Sequence, residues 1–282
     1  MKKRVNKRFG NALPTEWYHV ERFAQRAWVN AMYAYSFGIV GNLNGHEGRS
    51  LGTGIGVCWN DIHLVLTAAH TLADTPVDRL YLMVPASTLE IGDSLADVDR
   101  SKVLVQTRGQ FEGSRVVISK ENDLAAVVLP HQSDDATQHF YRFDSRRTIA
   151  PPGTVVGLFG YPACRAKPMG VRANYAVLPF CDLGQVCIGP INHNHKTQLL
   201  VKYYAGAEVD PHGLSGGGIW NFKKSSLIWS PKLVLAGLMT NYDRKKGVII
   251  GYRVATLLRF LRKSEGEMQA LTGPTDNGSL KH

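Results

Sequence analysis

P-H-G-L-S-G-G-G-I-W, residues 211–220, places one serine, Ser215, among four glycines. Glycines lack a Cβ, so they let backbone amides approach the atom that a serine hydroxyl attacks. A serine hydroxyl is a weak nucleophile by itself and becomes reactive beside a histidine base that a carboxylate orients. Ser215 is therefore a candidate nucleophile if the chain also supplies these two partners.

Two earlier stretches supply candidates for the partners. His70 ends the segment L-T-A-A-H, after a largely apolar run over residues 62–69. Asp123 opens D-L-A-A-V-V-L-P, directly ahead of another apolar run. The order along the chain is thus histidine, aspartate, serine.

This order excludes a second interpretation of the serine segment. Residues 213–217 also match G-x-S-x-G, the nucleophile elbow of the α/β-hydrolases. In that fold the acid and the histidine follow the serine. The only histidine after Ser215 is His282, the last residue, so the elbow interpretation fails.

T-A-A-H around His70, D-L-A around Asp123, G-x-S-G-G around Ser215 and G-T-G-I-G-V at 52–57 together resemble the chymotrypsin-like (trypsin-like) serine proteases. Among these, the nearer comparison is with HtrA-like peptidases that lack a regulatory domain. The resemblance implies His70 and Asp123 on a first β-barrel, Ser215 on a second, and an active site between them. It also implies peptide-bond hydrolysis without a cofactor, on a polypeptide substrate. The backbone amides of Gly213 and Ser215 would form the oxyanion hole.

Short β-like runs separated by turn residues fill most of the chain, without helices between them. They predict an all-β fold with two antiparallel barrels, which the resemblance makes six-stranded and of chymotrypsin type. Asn44-Gly45 is a hairpin turn signal. The predicted strands are 34–40, 52–59, 63–67, 80–84, 102–106 and 124–129 in the first set, and 154–160, 171–178, 185–189, 198–203, 217–220, 233–240 and 247–252 in the second.

Helical periodicity is confined to the two ends. Apolar residues recur every three or four positions over 15–32 and again at Val254, Leu257, Leu258 and Leu261. The first stripe either packs on its own domain or docks a protein partner. The predicted organisation is a basic tail and helix (1–33), a first barrel (34–145), a second barrel with a helix (146–263) and a flexible tail (264–282).

Composition and charge narrow the remaining classes of function. The 282 residues are 44% hydrophobic and 20% charged, which is ordinary for a globular protein, and the net charge is +10. Basic residues are dispersed except at 2–8, which we interpret as a solvated tail. Because no aromatic residues alternate with that run, nucleic-acid binding is the less favoured hypothesis.

Residues 9–22 lack the apolar core of a signal peptide, and no long apolar window indicates a membrane helix.

Four cysteines are too few for a disulfide scaffold. Many secreted relatives bridge a cysteine directly after the catalytic histidine to one in the preceding strand. Cys58 is placed for such a strand position, but Thr71 follows His70, which favours a cytoplasmic or other reducing compartment. Cys181, Cys187, His193 and His195 lie close in sequence but lack zinc-site spacing, so no metal is expected.

The resemblance also suggests how a substrate side chain would be recognised. Counting six positions back from the nucleophile places Val209 at the floor of the pocket, with a wall from Thr240 and Asn241. Asp210 is one position away and would favour Arg or Lys if it were the floor. With Val209 there, we expect a modest apolar side chain before the cleaved bond, because an unpaired buried ammonium is unfavourable.

A further departure from the family concerns activation. Leu214 stands where activated trypsin-like enzymes carry an aspartate that pairs with a new N-terminus. It cannot form that ion pair, so activation by cleavage is not expected. Besides an active protease, the alternatives are a catalytically impaired fold that binds proteins and a basic nucleic-acid-binding protein.

Overall fold

The computed structural model describes residues 22–41, 49–73, 80–84, 106–110, 116–129, 139–143, 150–169, 174–177, 179–189, 194, 196–203, 209–223 and 232–272. The basic run at 2–8, the Asn44-Gly45 turn, His193 and His195 lie outside them, as does the start of the predicted N-terminal helix. Most of the described residues are in β-strands.

The first half of the chain forms one sheet. Its strands are β1 (Ser36–Gly41), β2 (Arg49–Trp59), β3 (Ile62–Ala68), β4 (Leu80–Val84), β5 (Gln106–Gln110), β6 (Val116–Ser119), β7 (Leu124–Val128) and β8 (Tyr141–Arg142). Their order is β5-β4-β1-β2-β3-β7-β6, and β8 pairs parallel with β2. In the described residues β5 and β6 do not pair, so this sheet is not closed. The predicted first barrel is therefore not confirmed. Closing this sheet into a barrel would require its two edge strands to pair.

The second half forms a closed antiparallel barrel. Its strands are β9 (Val155–Gly160), β12 (Phe180–Val186), β13 (Gln198–Tyr203), β14 (Gly218–Lys223), β15 (Lys232–Asp243) and β16 (Val248–Arg253). Between β9 and β12, the strands β10 (Ala166–Met169) and β11 (Asn174–Val177) form a separate two-stranded ribbon. The barrel order is β12-β13-β16-β15-β14-β9, closing on β12. The prediction of a six-stranded second barrel is confirmed. The strand predicted at 171–178 belongs instead to the ribbon, and that predicted at 185–189 begins earlier, at Phe180.

The N-terminal helix α1 (Arg22–Ala34) packs on the barrel. The rings of Trp28 and Phe222 are 4.4 Å apart, and those of Tyr33 and Phe159 are 6.1 Å apart. Met32 is also buried. The described part of the apolar stripe thus contacts its own chain. Of the two interpretations of the stripe, this contact agrees with packing on the same domain.

The described residues contain three further α-helices, α2 (His70–Ala73), α3 (Val254–Lys263) and α4 (Glu265–Thr272), and a 3-10 helix at Ala163–Arg165. The C-terminal helix predicted from the leucine face is confirmed as α3. The expectation of a flexible tail from 264 is wrong over α4, because Met268 is fully buried in the core and Asn60 Nδ2 donates to Glu265 Oε1 at 2.6 Å. A single buried methionine on a polar helix is too small an apolar signal to stand out in the sequence.

One hydrophobic cluster joins the sheet to the barrel. It contains Ile55 and Leu64 from the sheet, Phe159 and Trp220 from the barrel, and Leu257 from α3. Since these side chains share one core, the two β units pack as one structure. Within the described residues, no helix is long and apolar enough to cross a membrane.

Candidate functional site

The pairing of β3 with β7 brings His70 to Asp123. Ala68, at the end of β3, lies opposite Leu124, at the start of β7, so the residues just beyond them are neighbours. The Nδ1 atom of His70 is 2.7 Å from Oδ2 of Asp123. The backbone N–H of His70 donates to the other carboxylate oxygen at 2.9 Å, and that of Ala69 donates to the Asp123 carbonyl at 3.0 Å. These contacts hold the imidazole against the carboxylate in a defined orientation.

Asp123 has an unusual backbone conformation. Its φ of +46° lies in the left-handed region, which aspartate and asparagine adopt more readily than other residues with a Cβ. Backbone strain of this kind concentrates at functional positions. Here it lets the carbonyl face Ala69 while the carboxylate faces His70.

Ser215 lies in a tight turn ahead of β14. Gly216 N–H donates to Met239 O at 2.7 Å, and Gly217 N–H donates to Leu214 O at 2.8 Å. Gly216 has φ +88°, and a Cβ there would collide with the Thr53 carbonyl oxygen, so only glycine fits. The Ser215 hydroxyl donates to the Thr240 carbonyl at 3.3 Å, which is long for an O–H···O bond. A modest rotation about its χ1 angle is therefore inexpensive.

The peptide before Gly213 has a defined direction. The His212 carbonyl accepts a hydrogen bond from Ala163 N–H at 2.8 Å. None of the described peptide bonds is cis, and in a trans peptide the C=O and N–H point opposite ways, so the Gly213 N–H is directed away from Ala163. In the described part of the chain, neither this amide nor that of Ser215 donates to a backbone carbonyl.

Thr53 on β2 anchors the serine turn to the open sheet. Its N–H donates to Ser215 O at 2.9 Å, and its hydroxyl donates to Gly213 O at 2.8 Å. The same hydroxyl accepts from Tyr161 N–H at 2.9 Å, and the Thr53 carbonyl accepts from the Thr67 hydroxyl at 2.7 Å. Thr53 is fully buried, so each of these groups depends on a protein partner.

Sequence reasoning missed this role of Thr53. The segment G-T-G-I-G-V suggested only a strand of the resembled family. The available signal was a single hydroxyl residue between glycines in an otherwise apolar strand, and it did not indicate which groups the hydroxyl would bind.

His70, Asp123 and Ser215 line one cleft of about 390 Å³. They come from the open sheet and from the barrel, so the cleft lies where the two units meet. Its lining residues are His70, Asp123, Asp210, Pro211, His212, Leu214, Ser215, Met239, Thr240, Asn241, Tyr242, Arg244 and Ile249.

Three of the four predicted pocket residues line this cleft: Asp210, Thr240 and Asn241. Val209 does not. Its side chain is buried in the barrel core, and its carbonyl accepts from the Tyr203 hydroxyl at 3.3 Å. The sequence count from Ser215 could not show whether the chain turns residue 209 or residue 210 toward the cleft.

All four cysteines are free thiols. Thr71 packs closely against Gly52: a Cβ added to Gly52 would collide with the Thr71 methyl group. The position in the preceding strand that faces Thr71 is therefore Gly52 rather than Cys58, and neither Gly52 nor Thr71 carries sulfur. Across the described ranges, no three His, Cys, Asp or Glu side chains gather as metal ligands would.

No protein-family description matches the chain, and no curated protein sequence matches it.

Proposed function

We propose that this protein is a serine endopeptidase that hydrolyses peptide bonds through Ser215, His70 and Asp123, on a fold of chymotrypsin type. The observation that carries the proposal is their convergence: a histidine 2.7 Å from a carboxylate shares one cleft with a serine from the other β unit. Taken singly, each residue has an ordinary structural explanation. The three together are the set that acyl transfer by a serine requires.

The His70–Asp123 contact favours one tautomer of the imidazole. With the proton on Nδ1 directed at the carboxylate, Nε2 keeps its lone pair and can accept the proton of the Ser215 hydroxyl. The hydroxyl first exchanges its 3.3 Å bond to Thr240 for one to Nε2. Hydrogen bonds at catalytic residues often shorten and align only when a substrate is bound.

The reaction then proceeds in two halves. Ser215 Oγ adds to the peptide carbonyl as its proton passes to His70, and the oxyanion binds the N–H groups of Gly213 and Ser215. His70 returns the proton to the departing amine, so the C–N bond breaks and an acyl-enzyme remains. A water molecule, deprotonated by His70, attacks the ester, and the acid leaves as the Ser215 hydroxyl is restored.

Leu214 bears on how this site is activated. Its side chain is buried in the barrel core, and no carboxylate occupies that position to receive a terminal ammonium. The intact chain is therefore the active form under this proposal.

A fluorophosphonate probe tests the proposal directly, because it forms a covalent bond only with a serine that a working site activates. We expect labelling of the intact protein at Ser215, loss of labelling in Ser215→Ala, and normal labelling in the matched control Ser264→Ala. Casein hydrolysis by the intact protein should follow the same pattern.

The same experiment distinguishes the enzyme from a second candidate, a protein-binding fold with an impaired site. The bond from Ser215 to Thr240 favours that candidate, since the hydroxyl donates there in this structure. A folded protein that neither labels nor hydrolyses casein would refute the enzyme and leave the binding role as the remaining candidate.

A further inference from the structure

An ion pair lies on the lining of the cleft that contains Ser215. Nη2 of Arg244, on the turn after β15, is 2.8 Å from Oδ2 of Asp210. The other carboxylate oxygen of Asp210 accepts the backbone N–H of His212 at 3.1 Å. Both oxygens of this carboxylate therefore already have a donor.

Asp210 is ionised at neutral pH. The backbone N–H of His212 is the largest influence and lowers the pKa of Asp210; burial opposes it, and the charge of Arg244 lowers the pKa further, so that the net shift is below the usual range. The neighbouring Asp243 is itself paired with Lys246 at 3.2 Å. Asp210 and Arg244 thus cancel, and this part of the cleft offers no net charge to a substrate side chain.

A substrate Lys or Arg would have to share Asp210 with Arg244 or displace that arginine. Arg244 belongs to the same chain, and a tethered group competes as if present at an effective concentration on the order of millimolar or above. Once displaced, its guanidinium would remain nearby as a like charge. An uncharged side chain meets neither obstacle and can contact Met239, Tyr242 and Ile249, which line the same cleft.

We propose that Arg244 determines the substrate class of this cleft: by holding Asp210 in an ion pair, it makes the cleft select an uncharged side chain at the cleaved bond and reject Lys and Arg. The inference rests on the proposed peptidase function. Under this inference, the preference for an uncharged side chain is due to the Asp210–Arg244 pair and not to Val209.

The first test compares peptide para-nitroanilides that differ only in the residue before the cleaved bond, Gln or Lys. The intact protein should have the higher kcat/KM for Gln. Arg244→Gln should raise the Lys-to-Gln ratio of kcat/KM about fivefold, the value of one exposed ion pair, and Asp210→Asn in that background should abolish the gain. Lys245→Gln, which removes an equal charge one residue away, should leave the ratio unchanged.

The second test needs no peptide turnover. Benzamidine carries an arginine-like cation, and its protection of Ser215 from the fluorophosphonate reports whether Asp210 is accessible. Protection should be slight in the intact protein, increase in Arg244→Gln and disappear in Arg244→Gln/Asp210→Asn. Equal protection of the intact protein and Arg244→Gln, or an intact protein that prefers Lys, would overturn the inference. Failure of the intact protein to label would instead refute the proposed function itself.

Discussion

The barrel of β9 and β12 to β16 closes on itself, whereas the described sheet of β1 to β8 has two edges, yet the candidate site needs both. His70 and Asp123 come from the open unit, but they follow β3 and precede β7, which are interior strands with partners on both sides. Ser215 comes from a turn just before a barrel strand. A candidate site residue can therefore be positioned without closure of its sheet, if the adjoining strand is hydrogen-bonded to a neighbour on both sides.

The comparison also shows how the units depend on each other. Thr53 of the open sheet binds the serine turn of the barrel through both its backbone and its side chain. Its carbonyl in turn accepts from Thr67, on the strand that leads to His70. The position of the Ser215 turn relative to the strand that leads to His70 is thus set across the boundary between the units.

The largest effect should come from removing the contribution of the open sheet to catalysis. His70→Ala and Asp123→Asn should each lower kcat for peptide hydrolysis by about 10⁴ or more, with the smaller loss in Asp123→Asn. Combining either with Ser215→Ala should add little, because the three residues act as a unit. Asp61→Asn is the matched control, since Asp61 also has a positive φ, +62°, on the same sheet. Near-native kcat in a folded Asp123→Asn protein would remove Asp123 from the site.

Core truncation in each unit should reduce the stability of the whole. Leu64 in the sheet and Leu158 in the barrel are both fully buried. Each change to alanine should lower the free energy of unfolding by about 2–5 kcal/mol, measured by urea denaturation, whereas Ile118→Ala, at a half-exposed side chain, should change it by less than about 0.5 kcal/mol. Because the units share a core, a single transition is expected. Two separate transitions would show that sheet and barrel unfold independently.

Removing the Thr53 hydroxyl should loosen the link between the units. Thr53→Val leaves the Gly213 carbonyl and the Tyr161 N–H without their partner, at about 1–3 kcal/mol for each buried group. We expect Ser215 to label with the fluorophosphonate about tenfold more slowly. Thr53→Ser keeps the hydroxyl and should restore the rate. Thr256→Val, which breaks a remote threonine bond to Thr197 O, should not affect it. Unchanged labelling in Thr53→Val would limit Thr53 to a structural role.

The smallest effect concerns the thiols, which differ in exposure between the two units. Cys164 in the barrel half is exposed, and Cys58 in the sheet is buried. Burial also raises the pKa of the Cys181 and Cys187 thiols, so less thiolate is present at neutral pH. Iodoacetamide should first modify Cys164 in the native protein, as peptide mapping can establish. Denaturation should reveal four thiols, and a count of two would indicate a disulfide.

Local sequence patterns were sufficient for most elements of the fold. The strands predicted at 80–84 and 198–203 have those bounds in the structure, because alternating or continuous apolar residues between turn residues form a local signal. Strand β6, one of the strands that the sequence did not predict, has only four residues, and Ile118 within it is half exposed. Whether a sheet closes depends on hydrogen bonds between its first and last strands, and no local pattern contains that information.

For the site, the sequence by itself determined the chemical types: a serine among glycines, and a histidine and an aspartate next to apolar runs. The contacts that organise these residues required the tertiary structure. The Thr53 hydroxyl reaches a carbonyl 160 positions away, and Arg244 reaches a carboxylate 34 positions away. The chemical type of a residue is given by the sequence alone. Its orientation and its pairing depend on which distant backbone groups and charges the fold brings within hydrogen-bond reach.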